Sequence, residues 1–292
     1  MGVLGTGAGG AAGDAARRVQ QAAGEAAREA EPWVERLARL GHVAKGVVYV
    51  VIGALAIQAA AGPGGKTTDP QGVLRTIAGQ PFGKLLLGAL ALGLAGYALW
   101  RFVQAALDPE HRETNAKTVV KRVGYALSGL VHAGLAVTAV QLISGAAARA
   151  GANGAQDGTA RLLAQPFGQW LVGLVGLVII AVGMNALYIA WTAKFREKLK
   201  MAEMNPTEQE WATRVGRIGL AARAVVMGII GGFLIQAALH ANPGEARGLD
   251  GALQVLAQQP YGKWLLGVVA LGFVAYGFYM FVSARYRRIA VR

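Results

Sequence analysis

Cysteine is absent from the 292 residues. That excludes disulfides, thiol catalysis, iron–sulfur ligation and thiolate zinc sites. Charge is also scarce, at 15% of residues against about 25% in a soluble domain. None of the 16 Asp and Glu lies within a long apolar run of the chain. Proton- and cation-coupled pumps commonly use carboxylates at membrane depth, so their absence counts against that class; coordination by backbone carbonyls of a broken helix stays open. The 4 histidines, His42, His111, His132 and His240, fall at different depths and sides, so no metal centre is expected. There is no His-Glu-x-x-His, no Gly-x-Ser-x-Gly, no phosphate loop and no catalytic carboxylate pair. Gly5-x-Gly7-x-x-Gly10 fits a dinucleotide fingerprint, but no strand precedes it. No catalytic residue and no cofactor are assigned, and a non-enzymatic protein is expected.

What is present is apolar surface. Hydrophobic residues make up 54% of the chain, the mean hydropathy is +0.39, and there are 42 glycines. Six apolar runs, approximately 43–61, 85–107, 124–148, 170–193, 221–239 and 264–283, each approach the ~20 residues a helix needs to cross ~30 Å of hydrocarbon. The spacing predicts an all-α, integral membrane bundle of six transmembrane helices. Ahead of the first run is an Ala/Gly-rich tail, residues 1–32. Its glycine-rich start reads as disordered, and a helix is expected from Ala15 to Ala30, ended by Pro32.

The chain repeats itself three times. Arg39-Leu40-Gly41, Arg122-Val123-Gly124 and Arg217-Ile218-Gly219 open the odd-numbered spans, and Gln58, Gln141 and Gln236 each follow 17 residues after the glycine. A polar segment with Asp69, Asp157 or Asp250 then leads through a short Leu/Ala stretch. Next come Gln80-Pro81-Phe82-Gly83, Gln165-Pro166-Phe167-Gly168 or Gln259-Pro260-Tyr261-Gly262, where the even-numbered span begins. The units are 33–110, 111–200 and 201–292. Two helices per unit return the chain to its starting side, so all three share one orientation. They are related by a pseudo-threefold axis along the membrane normal, or by a less regular parallel arrangement. Proline costs nothing in a first helical turn, so Gln-Pro-aromatic-Gly reads as a helix-entry hinge.

The net charge of +13 is a matter of placement. Counting along the six spans puts 22 Lys and Arg on the side of the termini and 7 on the other. By the positive-inside rule both termini are cytoplasmic, and the charge signals topology and attraction to anionic lipid more than nucleic-acid binding. Trp33, Trp100, Trp191 and Trp211 are expected at the inner interface, Trp170 and Trp264 at the outer one.

These thrice-repeated helix pairs, with their Arg-x-Gly opening and Gln-Pro-Phe-Gly entry, resemble the bacterial membrane family catalogued as domain of unknown function 1206. The likeness covers roughly Trp33 to Arg288. It implies three copies of a two-helix unit in a bacterial plasma membrane, and it implies no activity.

Polar residues at membrane depth are the candidate binding groups. Lys45 and Arg223 occupy equivalent positions, with Ser128 in the middle copy. His42, Lys45 and Tyr49 share one helix face. Snorkelling to the inner boundary is the bland expectation for these cations, and a cytoplasm-facing site for an anionic headgroup or solute is the sharper one. Arg101 has no basic counterpart (Ala186, Met280), and His132 stands where the other copies have Tyr49 and Met227. Asn185 reads as interhelical glue. Gln58, Gln141 and Gln236 are expected either to bond the following loops or to ring an outer vestibule. The resulting expectation is a membrane protein that binds lipid or an apolar small molecule, or plays a structural role. The alternative is a channel for a small solute past polar residues of the three repeats. Membrane lipid is the expected partner, nucleic acid is not, and the oligomeric state is open.

Overall fold

A computed structural model describes residues 7–62, 67–107, 116–146 and 154–289. Its helices are α1 (Gly7–Ala61), α2 (Pro70–Ala78), α3 (Gly83–Leu107), α4 (Ala116–Ile143), α5 (Gly154–Leu163), α6 (Gly168–Thr192), α7 (Pro206–Leu239), α8 (Leu249–Gln258) and α9 (Gly262–Tyr286). Six of them, α1, α3, α4, α6, α7 and α9, are long and apolar enough to cross a membrane. The expected six-span, all-α architecture is present.

Two expectations about the tail need correction. Gly7–Gly10 are helical, and Pro32 does not end the first helix: α1 runs through it. A mid-helix proline forfeits one hydrogen bond and crowds the preceding turn. Here the helix-favouring Ala, Glu and Arg content on its N-terminal side outweighs that loss. The part of the disorder expectation that falls on residues 1–6 lies outside the described residues.

The segments between spans hold α2, α5 and α8, which the sequence reading treated only as short Leu/Ala stretches. Each precedes a Gln-Pro-aromatic-Gly hinge. Asp69 caps α2, its side chain accepting from the Gly72 N–H at 2.7 Å, with Pro70 in the first turn. Val73, Leu74 and Ile77 of α2 and Leu253 of α8 are buried against Ile52, Leu87 and Leu266. These side chains close the bundle at the hinge end. In α5 the position of Leu74 and Leu253 is taken by Thr159, the one buried residue of that helix.

The three hinges are alike in backbone. Phe82, Phe167 and Tyr261 have φ of 59°, 60° and 61°, in the left-handed region that costs a residue with a side chain on the order of 1 kcal/mol. The following glycine has the carbonyls of the preceding short helix against it: a Cβ on Gly83 would meet the Ala78 oxygen at 2.7 Å. The motif does open each even-numbered span, but its proline stands ahead of the N-cap and not in the first turn, and the aromatic, not the glycine, takes the strained conformation.

The repeats form a ring whose strongest contacts lie between units: α1 with α9, α3 with α4, α6 with α7. Equivalent positions meet at these junctions. Gly46 and Gly277 abut each other, Gly183 abuts Ala224, and Gly231 abuts Gly176 much as Gly53 abuts Ala270. Backbones approach closely through such small residues because neighbouring helices in lipid attract mainly by packing. The Arg-x-Gly motif serves the same junctions. Arg39 donates to the Ala284 and Arg285 carbonyls at the end of α9, both at 2.6 Å, and Arg122 to those of Ala105 and Ala106 at the end of α3. Each guanidinium satisfies carbonyls that a helix C-terminus leaves open, in the favourable direction of its dipole.

Within units the pattern is uneven. α1 packs on α3 and α7 on α9, but α4 and α6 of the middle repeat stand apart. The glycine of Arg-x-Gly shows why. Gly41 lies against the backbone of Tyr97, and Gly219 against that of Tyr276, while none of the described residues lies within 4 Å of a Cβ placed on Gly124. In the outer units Ala44 faces Gly93 and Ala222 faces Gly272; the middle unit has Leu127 and Val178 at these positions. Two larger side chains replace a small-on-small contact and hold the hairpin open.

Candidate functional site

Bringing α3 onto α1 at Gly41 delivers Tyr97 beside Lys45, one turn farther along α1. Lys45 donates to the Tyr97 hydroxyl at 3.3 Å, and its Nζ lies 4.8 Å from the centre of that ring and 5.8 Å from that of Tyr276. Arg101, one turn beyond Tyr97 on α3, donates to the same hydroxyl through Nε at 3.0 Å and also through Nη2. Its Nη1 donates to Gln104 Oε1 at 2.9 Å, and its guanidinium lies 5.2 Å from the Tyr125 ring centre. Across the cluster Arg223 of α7 sits 5.5 Å from the ring centre of Tyr276, with the Tyr49 hydroxyl in hydrogen bond with it. His132 of α4 packs on Tyr97 at 4.5 Å between ring centres, and Lys45, Arg101 and Arg223 all lie within electrostatic reach of its imidazole.

Three cations from three helices thus share a core of tyrosines. Lys45 is buried; Arg101 and Arg223 are half-buried. Lys45 does not snorkel to an interface: its charge turns inward. The helix segments around it, residues 37–61, 83–106, 121–143, 214–239 and 262–286, contain no Asp or Glu. Nearby carboxylates are engaged elsewhere, Glu35 with Arg39 and Glu210 with Arg214. Neutral hydroxyls and ring faces offset part of the burial cost, each cation–π contact contributing on the order of 1–2 kcal/mol when desolvated. Uncompensated charge inside a bundle is expensive. The polar inventory is donor-rich: Gln104 Nε2 and Trp100 Nε1 are buried and without a hydrogen-bond partner among the described residues. Such a set suits a ligand that accepts hydrogen bonds and carries negative charge.

His42 and His132 have a different local role. Each holds the carbonyl four residues earlier, Ala38 or Ser128, at 2.7 Å from Nδ1. A carbonyl only accepts, so Nδ1 carries the proton in both rings. His42 packs edge-on against Tyr97, 5.2 Å between centres. The two rings brace Tyr97 from either side.

Of the residues singled out in the sequence, Lys45, Arg101, Arg223 and His132 converge on this cluster. The glutamines stand outside it. Gln58 and Gln236 are exposed, Gln58 on the same outward stripe of α1 as Leu40 and Val43, and Gln141 is half-buried. Asn185 is exposed on α6. Trp100 departs from its interfacial expectation and is buried. Sequence reasoning passed over Tyr97 and Tyr276. Their signal is positional: each follows the hinge glycine by 14 residues, in the two repeats that carry Lys45 or Arg223. The middle repeat has Val182 and Ser128 at those positions.

The fold defines a polytopic α-helical membrane protein of three parallel two-helix repeats. The chain belongs to the family described as Domain of Unknown Function (DUF1206), which matches residues 40–108, 123–193 and 218–287, one stretch per repeat. It is similar to the uncharacterized protein YxxB of Bacillus subtilis (strain 168), 37% identical over 262 residues, covering 90% of this chain and 94% of that protein. No solved structure matches.

Proposed function

We propose that this protein binds the anionic group of a lipid or small molecule, such as a phosphate or carboxylate, at the Lys45–Arg101–Arg223 cluster, without transforming it. One observation carries the reading: three cations converge inside the bundle on tyrosine hydroxyls, with no carboxylate in the surrounding helix segments. An anion would complete the charge balance that the chain leaves open. The excess of Lys and Arg at this end supports a cytoplasmic placement of the site and of both termini. The six spans apolar enough to cross a membrane, together with a relative from a bacterium, support residence in a bacterial plasma membrane. Conduction along the axis has less support, because Leu74, Leu87, Leu253 and Leu266 fill the hinge end.

The test is thermal unfolding of the full chain in a neutral detergent, followed by tryptophan fluorescence. It is run with inorganic phosphate and with phosphatidylglycerol, and phosphatidylcholine serves as control. A ligand at about 100 times its dissociation constant adds about 2.7 kcal/mol, on the order of 4–5 °C for a chain of this size. Lys45→Gln and Arg223→Gln are expected to lose that rise. No rise with either anionic species refutes the reading.

A further inference from the structure

The cluster is closed where repeats 1 and 3 meet and open toward the middle repeat. Positions buried in the outer units surface there. Val48 and Val226 are 3% and 2% exposed, and their counterpart Val131 is 62% exposed. Leu90 and Val269 are 7% and 8% exposed against 39% for Val175. Tyr97 and Tyr276 are 1% and 3% exposed against 43% for Val182. The separation of α4 from α6 leaves Leu127 and Val131 on one helix and Val175, Val178 and Val182 on the other exposed, at positions equivalent to ones that pack within the outer units, as the apolar sides of a cleft between the two helices. Repeat equivalence puts Val182 level with Tyr97 and Tyr276, and Ser128 level with Lys45 and Arg223. Asn185 stands one turn beyond Val182 on α6, exposed on the same face. The cleft thus turns from apolar to polar at the depth where the cations sit.

We infer that the α4–α6 cleft is a lateral opening to the bilayer, and that its occupant is an anionic lipid. The chain lies along Val175, Val178 and Val182, and the headgroup reaches past Ser128 and Asn185 toward His132 and Arg101. This rests on the anion-binding reading above and adds the route and the ligand class to it. Charge complementarity selects the occupant. A zwitterionic or neutral lipid fits the apolar walls equally well and gains nothing from three cations with no carboxylate among them. The cleft runs about 15 Å from Val175 to Asn185 at 1.5 Å per residue, a length that accommodates much of one acyl chain.

The absence of cysteine permits a direct test. A bimane label on Val182→Cys reports quenching by lipids brominated on their chains, in vesicles of phosphatidylcholine with brominated phosphatidylglycerol or brominated phosphatidylcholine. Leu92→Cys, exposed on the outer face of α3, is the control. At Val182→Cys, brominated phosphatidylglycerol should reach half-quenching at a mole fraction roughly fivefold lower, the factor one well-placed cation supplies beside an anionic headgroup. At Leu92→Cys the two lipids should quench alike. Arg101→Gln should erase the preference. So should Ser128→Asp, which adds a carboxylate at the open sector without removing a cation and keeps the test valid if Arg101→Gln fails to fold. Equal quenching at both positions, with phosphate or phosphatidylglycerol still raising the melting temperature, overturns the lateral route and leaves the anion site standing. A label shielded from both lipids, with a cross-linked dimer, assigns the cleft to a second copy and also overturns it. If no anionic species raises the melting temperature, the anion site and the inference built on it fail together.

Discussion

One substitution, made at three equivalent glycines, separates the closed units from the open one. At Gly41 an added Cβ would meet Tyr97 Cβ at 2.6 Å, its backbone N at 2.7 Å and its Cα at 2.8 Å. The obstacle is backbone, so no rotamer relieves it, and α1 and α3 must separate by roughly 1 Å to restore ordinary contact. Overpacking of this kind costs about 1–3 kcal/mol, and here it also pulls Tyr97 from Lys45. Gly219 faces the Tyr276 backbone in the same way. At Gly124 none of the described residues lies within 4 Å, and alanine gains up to about 1 kcal/mol of helix propensity over glycine. With the same propensity gain set against the overpacking, Gly41→Ala and Gly219→Ala should lose about 1–2 kcal/mol, while Gly124→Ala is neutral or gains up to ~1. Unfolding of the full chain in mixed micelles, titrated with denaturing detergent and followed by tryptophan fluorescence, measures the difference. Equal losses at all three positions would refute the open middle hairpin.

Tyr97→Phe keeps both cation–ring contacts and deletes the acceptor shared by Lys45 and Arg101. The loss should be about 2–4 kcal/mol in ligand-free protein, from charge-assisted hydrogen bonds of about 1.5–3 kcal/mol each, and smaller once an anion is bound; the same detergent titration with and without phosphatidylglycerol reads it. Leu74→Ala, at a fully buried position under α2, should cost about 2–5 kcal/mol; a loss below 1 would show that α2 does not close the hinge end. Asp69 tests pH dependence outside the spans. Burial raises its pKa, with the Asp250 charge adding to the rise and the Gly72 N–H opposing it. Its stability contribution is thus fully present below the unfolded value near about 3.9 and is lost as pH rises through the folded one. Asp69→Asn keeps a capping oxygen, so the stability of the variant relative to the native chain should increase from pH 4 to pH 7, and a flat difference would contradict the buried carboxylate.

The six spans and three repeats were legible because lipid imposes a length and an apolar composition that show in a single chain. Ring order was not. Nothing in the helix pattern says that α1 prefers α9 of another unit to α3 of its own, because that choice lies in where glycines meet across units. Gly46 and Gly277, 231 residues apart, are one contact. Arg101 drew notice only as an asymmetry. Its convergence with Lys45 depends on Gly41 letting Tyr97 approach, a backbone distance that residue spacing does not encode. The hinge motif was legible as an entry signal, but the left-handed aromatic within it was not, since sequence preference points to glycine for that conformation.

The junctions between repeats join the even helix of one unit to the odd helix of the next, with Arg39 and Arg122 fastening two of them. An interface that runs head to tail and closes after three units would be satisfied by three identical hairpins on separate chains. Such an assembly must keep all three alike. A change that opens one hairpin then opens every one, and no neighbour is left to hold the ring. Covalent tandem arrangement lifts that constraint. Repeats 1 and 3 can retain Gly41–Tyr97 and Gly219–Tyr276 while the middle unit exchanges its tyrosine for Val182 and its cation for Ser128. A single sided opening in a threefold ring is available only to a protein that carries all three sectors on one chain.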